Sequence, residues 1–155
     1  MLISQVVKKL TPIANAKDIV IYVDNHQTEF SPILLDYDKM YEAIYNIADN
    51  AIKYSPEGGF VHIDITADND YLTIKIEDNG PGIPEEERDR IFERFYRLDD
   101  SRARDTGGTG LGLAITKEAV LMHNGTIDVA NVSDIGSVFT IRLPYKITIG
   151  GQNEK

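Results

Sequence analysis

The stretch from Asp36 to Tyr54 limits the folds open to this chain more than any other segment. Asp36 is an N-cap residue, and Ser55-Pro56 followed by Gly58-Gly59 stops whatever helix it begins. Between these signals Ile44, Ile47, Ala48 and Ala51 recur at i, i+3, i+4 and i+7, the stripe of a helix that lies on a sheet. The neighbouring segments supply the strands. Ile19 to Asp24 is apolar or alternating, and Val61 to Ala67 with Tyr71 to Glu77 flanks the turn-prone Asp68-Asn69-Asp70. Thr126 to Val132 and Val138 to Leu143 are the last two expected strands.

Residues 1–17 read as an amphipathic helix with apolar positions at Leu2, Val6, Leu10 and Ile13, bent or ended by Pro12. Pro84 followed by Glu85, Glu86 and Glu87 marks a further helix start, since proline fits the first turn and acids suit the positive end of the dipole. Another helix follows the glycines at 107–112 and runs to His123, with Asn124-Gly125 as its stop. Helices and strands thus alternate irregularly with antiparallel neighbours, which predicts an α+β two-layer sandwich. One domain over residues 1–144 is expected, with 145–155 as a frayed tail.

At 155 residues the chain can bury a core without staples, and with no cysteine it has no disulfide, thiol nucleophile or thiolate metal site. The apolar runs span only a handful of residues, Ile19 to Val23 among them, too short for a membrane-spanning helix, and no export leader is expected. A net charge of −9 argues against nucleic acid as a partner, because phosphate backbones are held by surplus Lys and Arg. Yet six of the seven arginines (Arg88, Arg90, Arg94, Arg97, Arg102 and Arg104) fall within 17 residues that hold only four acids. Such a segment suits one small polyanion, or else a solvated, salt-bridged loop.

Three further segments bear on chemistry. Asn46, Asn50 and Lys53 recur at i, i+4 and i+7 on the helical face away from the apolar stripe. Carboxamide oxygens can ligate a hard cation such as Mg²⁺, and a lysine places a point charge on phosphate, although a polar outer face has the same appearance. Asp78-Asn79-Gly80-Pro81-Gly82 follows a strand, so its backbone can approach a ligand closely while Asp78 accepts from an amino group; an ordinary turn reads alike. Gly108-Thr109-Gly110-Leu111-Gly112-Leu113 opens a helix and presents N–H groups to phosphate, without the Lys-Ser/Thr of a Walker loop or the strand-loop-helix frame of a dinucleotide fingerprint.

Taken in order, Asn46–Asn50–Lys53, Asp78-x-Gly80-x-Gly82, Phe92 with Phe95, and Gly108-x-Gly110-x-Gly112 resemble the N, G1, F and G2 boxes of one family. This chain resembles the catalytic, ATP-binding domain of bacterial sensor histidine kinases, in the group that also holds gyrase, the heat-shock chaperone and MutL. The resemblance spans essentially the whole domain. It implies a mixed sheet covered on one face by helices (the Bergerat-type fold), with ATP and Mg²⁺ under a mobile lid at about 95–109. Asn46 and Asn50 would hold the metal, Lys53 and Arg97 would face the phosphates, and Tyr54 would lie along the adenine. Asp78 would read the adenine amino group, and Gly80, Gly82 and Ile83 would shape the base pocket. Gly110, Leu111 and Gly112 would offer backbone donors, with Thr109 and Leu113 beside them among the nucleotide-binding residues.

The resemblance implies protein-histidine kinase activity within a two-component system. No histidine here sits in the family's phosphoacceptor setting, His-Glu/Asp-x-Arg: His26 precedes Gln27, His62 precedes Ile63 and His123 precedes Asn124. The acceptor is therefore expected on a separate dimerisation hairpin, with residues 1–17 as the connector to it. A response regulator is the expected next partner. A monomeric domain, a homodimeric parent and a cytoplasmic position in a membrane-anchored receptor are further expectations of the family. Hydrolysing relatives carry Glu where Asn46 stands, and an amide cannot activate water, so slow or absent hydrolysis is expected. His123 is expected to cap or pair locally, and the turn Ser133 to Ser137 to lie away from the nucleotide. The competing readings are an ATP-binding docking module without phosphotransfer and an ATPase-driven clamp.

Overall fold

The computed structural model describes residues 2–26, 33–94, 112–131, 136–145, 148–149 and 152–153. Helix α1 (Leu2–Ala16) leads into β1 (Val20–Asn25), α2 (Tyr37–Tyr54), β2 (Phe60–Ala67) and β3 (Tyr71–Asp78). After two single 3-10 turns come α3 (Gly112–Met122), β4 (Thr126–Asn131) and β5 (Ser137–Pro144). The five strands lie in the order β1-β2-β3-β5-β4. Only the β1–β2 pair is parallel; the other three are antiparallel, so the sheet is mixed.

Val61, Ile63 and Ile65 of β2 alternate inward with Ile74 and Ile76 of β3 and with Phe139, Ile141 and Leu143 of β5. They meet Met40, Ile44, Ile47, Ala48, Ala51 and Ile52 of α2, all buried as the helical stripe required. The α1 helix lies on α2 and β1, and α3 on α2 and β4, so α2 is the central layer element. His62 and Asp64 face the other side of the sheet. The expected α+β sandwich is the fold observed.

The caps act as their chemistry demands. Asp36 Oδ1 accepts from Lys39 N at 3.1 Å, and Lys17 Nζ donates to the last carbonyls of α2, Ile52 O at 3.0 Å and Lys53 O at 2.7 Å. Asp68 Oδ1 accepts from Asp70 N and Tyr71 N and so fixes the β2–β3 turn. Asn124 takes φ 60 just after α3, and Gly125 N donates to Val120 O, the left-handed stop expected there.

Two local expectations are corrected. Helix α1 runs unbroken through Pro12, and its buried face is Ile3, Val6, Leu10 and Ala14; Ile13 is 44% exposed. That stripe is centred between Ile3 and Leu10, which puts Ile13 at its rim. The segment after Pro84 forms no α-helix. Glu87 N bonds Pro84 O and Glu93 N bonds Arg90 O, three residues back rather than four, so Glu85–Glu87 and Arg90–Phe92 are separate single turns, the second anchored by buried Ile91. Among the described residues after β5, Thr148–Ile149 (β6) pairs antiparallel with Gln152–Asn153 (β7).

Candidate functional site

The site is built along α2, because a helix sets side chains four and seven residues apart in a row. Asn46, Asn50, Lys53 and Tyr54 occupy two turns and are each half-buried. From Asn46 to Tyr54 the row spans about 12 Å, at 1.5 Å of rise per residue. Its two ends meet the two glycine segments. At one end Asn46 Nδ2 donates to Gly112 O, the first residue of α3, at 3.2 Å. The Thr116 hydroxyl, with no exposed surface of its own, holds that junction by sharing its one proton between Gly112 O at 2.9 Å and Ala43 O at 3.3 Å. At the other end the backbone at Gly80 touches the end of α2 so closely that a Cβ there would lie 2.6 Å from Tyr54 O.

The structure therefore brings Asn46 to the start of the third motif and Gly80 to Tyr54, contacts between segments 66 and 26 residues apart. Lys53 Nζ lies 3.1 Å from Asp49 Oδ2, an i, i+4 pair in the same row. Since the Asn46 amide nitrogen is engaged, its oxygen is the atom left to ligate a cation. With Asn50 one turn on, the donor set is neutral oxygen, which suits a hard ion that keeps its waters and phosphate ligands.

Asp78 differs from a carboxylate at an open mouth. It is 5% exposed, its Oδ1 accepts from Gly80 N at 2.8 Å, and its Oδ2 accepts from Ser137 Oγ at 2.9 Å. Burial pushes its pKa up, and the Gly80 and Ser137 donors pull in the opposite direction. A carboxylate has about four acceptor positions, so these two bonds orient it and leave capacity for one more donor. Gly82 has φ +82, open to glycine, and Ile83 N donates to Asn131 Oδ1 at 2.8 Å.

Gly136 and Ser137, the described end of the segment expected away from the nucleotide, adjoin the site. Gly136 N donates to Gly80 O at 2.6 Å, and a Cβ on Gly136 would lie 2.4 Å from Asp78 O. The reason is sheet register: β3 and β5 pair antiparallel with Asp78 opposite Ser137. Asn79, Asn131, Gly136 and Ser137 are thus site residues that sequence reasoning missed. The recoverable signal was a Gly-Ser pair opening the strand that pairs with β3. Asn79 Oδ1 accepts from Phe60 N at 2.9 Å and ties the loop to β2.

His123 is 9% exposed and joins the start of α2 to the end of α3. Its Nδ1 donates to Ala119 O at 2.7 Å, the local pairing expected of it, and its Nε2 accepts from the remote Asp36 N at 2.9 Å. Phe92 meets Phe139 edge-on at 6.2 Å. An open groove of about 590 Å³ beside α2, lined by Lys9, Tyr41, Glu42 and Tyr45 among others, reaches the row only at Asn46. Arg97, Thr109, Gly110, Leu111 and Phe95, with the expected lid, lie outside the described residues; Leu113 packs partly buried against the core.

The family model described as histidine kinase-, DNA gyrase B- and HSP90-like ATPase matches residues 35–147, the span that holds the α2 row and both glycine contacts. The chain belongs to this family. Within it, the sensor histidine kinase WalK of Bacillus subtilis is 46% identical over 114 residues, covering 72% of this chain and 19% of WalK. Among solved structures, a mycobacterial sensor histidine kinase, MprB, is 33% identical with a TM-score of 0.75, over 92% of this chain and 93% of that one. ShkA, solved full-length in complex with AMPPNP, is 30% identical with a TM-score of 0.80, over 93% of this chain and 29% of ShkA. The chain is thus the ATP-binding domain of the sensor histidine kinase type and spans about a fifth of WalK's length. Among the described residues no helix is long and apolar enough to cross a membrane.

Proposed function

We propose that this chain binds ATP with Mg²⁺ along α2 and donates the γ-phosphoryl group to a histidine on a separate dimerisation hairpin of its parent, from which a response regulator takes it. The observation that carries this reading is the double closure of the α2 row, with Asn46 held to the start of α3 and Gly80 seated on Tyr54. Between those contacts lies a strip of about 12 Å. The adenine end is Tyr54, Asp78, Gly80, Gly82 and Ile83, where the oriented Asp78 carboxylate accepts from the exocyclic amino group. The phosphate end is Asn46, Asn50, Lys53 and the α3 N-terminus at Gly112, and Arg97, Thr109, Gly110 and Leu111 complete it on the family pattern.

Asn46 and Asn50 would hold Mg²⁺, which supplies charge neutralisation between the phosphates. Lys53, paired with Asp49, adds a point charge near them. In the transfer an imidazole nitrogen of the acceptor forms a bond to the γ-phosphorus as the bond to the ADP oxygen breaks, and ADP leaves. Asn46 can orient a phosphate or a metal but cannot take a proton from water, so the phosphoryl group is kept for the external acceptor.

Calorimetry with Mg-ATP, followed by recovery of the nucleotide, tests the binding half. We expect magnesium-dependent binding of ATP that stays intact, lost in Asn50→Ala. Steady hydrolysis by the chain alone would overturn the kinase reading in favour of an ATPase. Adding the parent's hairpin with γ-labelled ATP tests the transfer half: label must appear on the hairpin histidine, and binding without label would leave a docking module instead.

A further inference from the structure

The open face of the sheet carries a second group of metal-ligating side chains, on the far side from the α2 row. Asp24 of β1 and His62 and Asp64 of β2 bring one ligand atom each to within 4.8 Å of one another. His62 Nε2 lies 2.8 Å from Asp24 Oδ2, and His26 Nε2 lies 2.7 Å from Asp64 Oδ1. The placement follows from parallel pairing, which sets Asp24 directly opposite Asp64 with Tyr22 opposite His62 one step back along the same face. His26 N continues the ladder by donating to Ile65 O at 2.9 Å.

Two features set this group apart from scattered surface ion pairs. Like charges directly opposite on one sheet face are destabilising, yet Asp24 and Asp64 are register partners. Glu77 of β3, in register with His62, adds a further carboxylate beside the pair. Lys75 of β3 is in register with Asp64 and is the neighbouring cation on this face. Each carboxylate of the Asp pair also has an imidazole against it, and exposed pairs of this kind contribute little to stability by themselves. An imidazole and two carboxylates converging within 4.8 Å need only small side-chain rotations to close on one Zn²⁺, whose N and O ligands sit about 2.0–2.2 Å from the metal.

We propose that Asp24, His62 and Asp64 bind one Zn²⁺ ion at this sheet edge, with His26 holding Asp64 in its ligating orientation. The imidazole selects a borderline transition metal over Mg²⁺, which prefers six oxygens. The fourth position is left to water, since three protein ligands form the set. The site joins edge strand β1 to β2, so the bound ion fastens the parallel pair on which the β1 end of the sheet depends.

The test uses the chain as it is, without nucleotide, titrated with Zn²⁺ in the calorimeter and followed by the ring resonances of its three histidines. One equivalent of Zn²⁺ should bind, move the His62 and His26 rings, and leave His123 unmoved because both its nitrogens are engaged. His62→Ala should abolish the binding, and His26→Ala should weaken it about 10–100-fold, as loss of a ligand-orienting partner does. A large excess of Mg²⁺ should not displace the zinc. Undiminished stoichiometric binding in His62→Ala, displacement by Mg²⁺, or no shift of the His62 ring would each overturn the proposal. His62 is only partly buried on the open face, so its truncation leaves the core intact, and His62→Gln gives a second variant of closer volume.

Discussion

Replacing Ser137 with Ala removes a hydroxyl that donates to Asp78 Oδ2 at 2.9 Å, where both residues are 5% exposed. Water cannot readily take its place, so the cost is that of a hydrogen bond to a charged group, about 1.5–3 kcal/mol. In a domain of this size each kcal/mol shifts Tm by about 2–4 °C, which gives a fall of about 6 °C at neutral pH. The pH dependence carries more information. Burial already holds the Asp78 carboxyl above the usual carboxylate range, and the Ser137 hydroxyl is one of the donors that restrain it. A carboxyl whose folded pKa exceeds its unfolded one binds more protons in the folded state. Its folded state is therefore favoured most in acid and loses stability as pH climbs from the ordinary Asp value, about 3.9, through the raised folded value. The Ala variant raises the folded value further, so its loss continues to higher pH. The deficit of Ser137→Ala relative to the parent should be smaller near pH 4 than at pH 7.5. Urea unfolding followed by circular dichroism at both pH values measures it. An equal deficit at both, or none at pH 7.5, would refute the coupling of Ser137 to a buried charge.

Three further outcomes follow from the contacts. Gly136→Ala should cost about 2 kcal/mol or more, because the residue sits at φ +86 and its Cβ would meet Asp78 O; thermal melts compare it with Gly58→Ala, also at positive φ but with open space around it. His123→Ala should lower stability by about 2–3 kcal/mol by orphaning Asp36 N–H and Ala119 O, with faster hydrogen exchange at the start of α2 as its local sign. Leu10→Ala, at a site with no exposed surface, should cost about 2–5 kcal/mol in chemical denaturation, whereas Ile13→Ala on the same helix should cost well under 1 kcal/mol.

Much of the architecture was legible because the signals are local. The α2 helix announced itself through an Asp36 cap and an apolar stripe that both act within a turn or two, and the β2–β3 hairpin through the Asx chemistry of Asp68. The Asn124 stop needed only a residue that tolerates φ 60. Where a reading failed, the deciding partner was remote. Four apolar positions on α1 could be counted from sequence, but which of them face inward depends on how the helix lies against α2 and β1. Pro84 and three glutamates favour a helix start in isolation, and burial of Ile91 with the edge-on contact of Phe92 to Phe139 broke that segment into two turns instead.

The candidate site divides along the same line. By itself the sequence determined the α2 row, since helical periodicity alone aligns Asn46, Asn50 and Lys53, and it determined the glycine segments that flank it. Tertiary structure decided what those residues touch: Asn46 at Gly112 O, Gly80 against Tyr54, and Ser137 on Asp78 across 59 residues. It also set Asp24 beside Asp64 on the opposite face, though 40 residues separate them. Periodicity is a property of one segment and can be read from it. Strand register and helix docking are chosen by whichever arrangement buries the shared core, and that choice is made by all the segments at once.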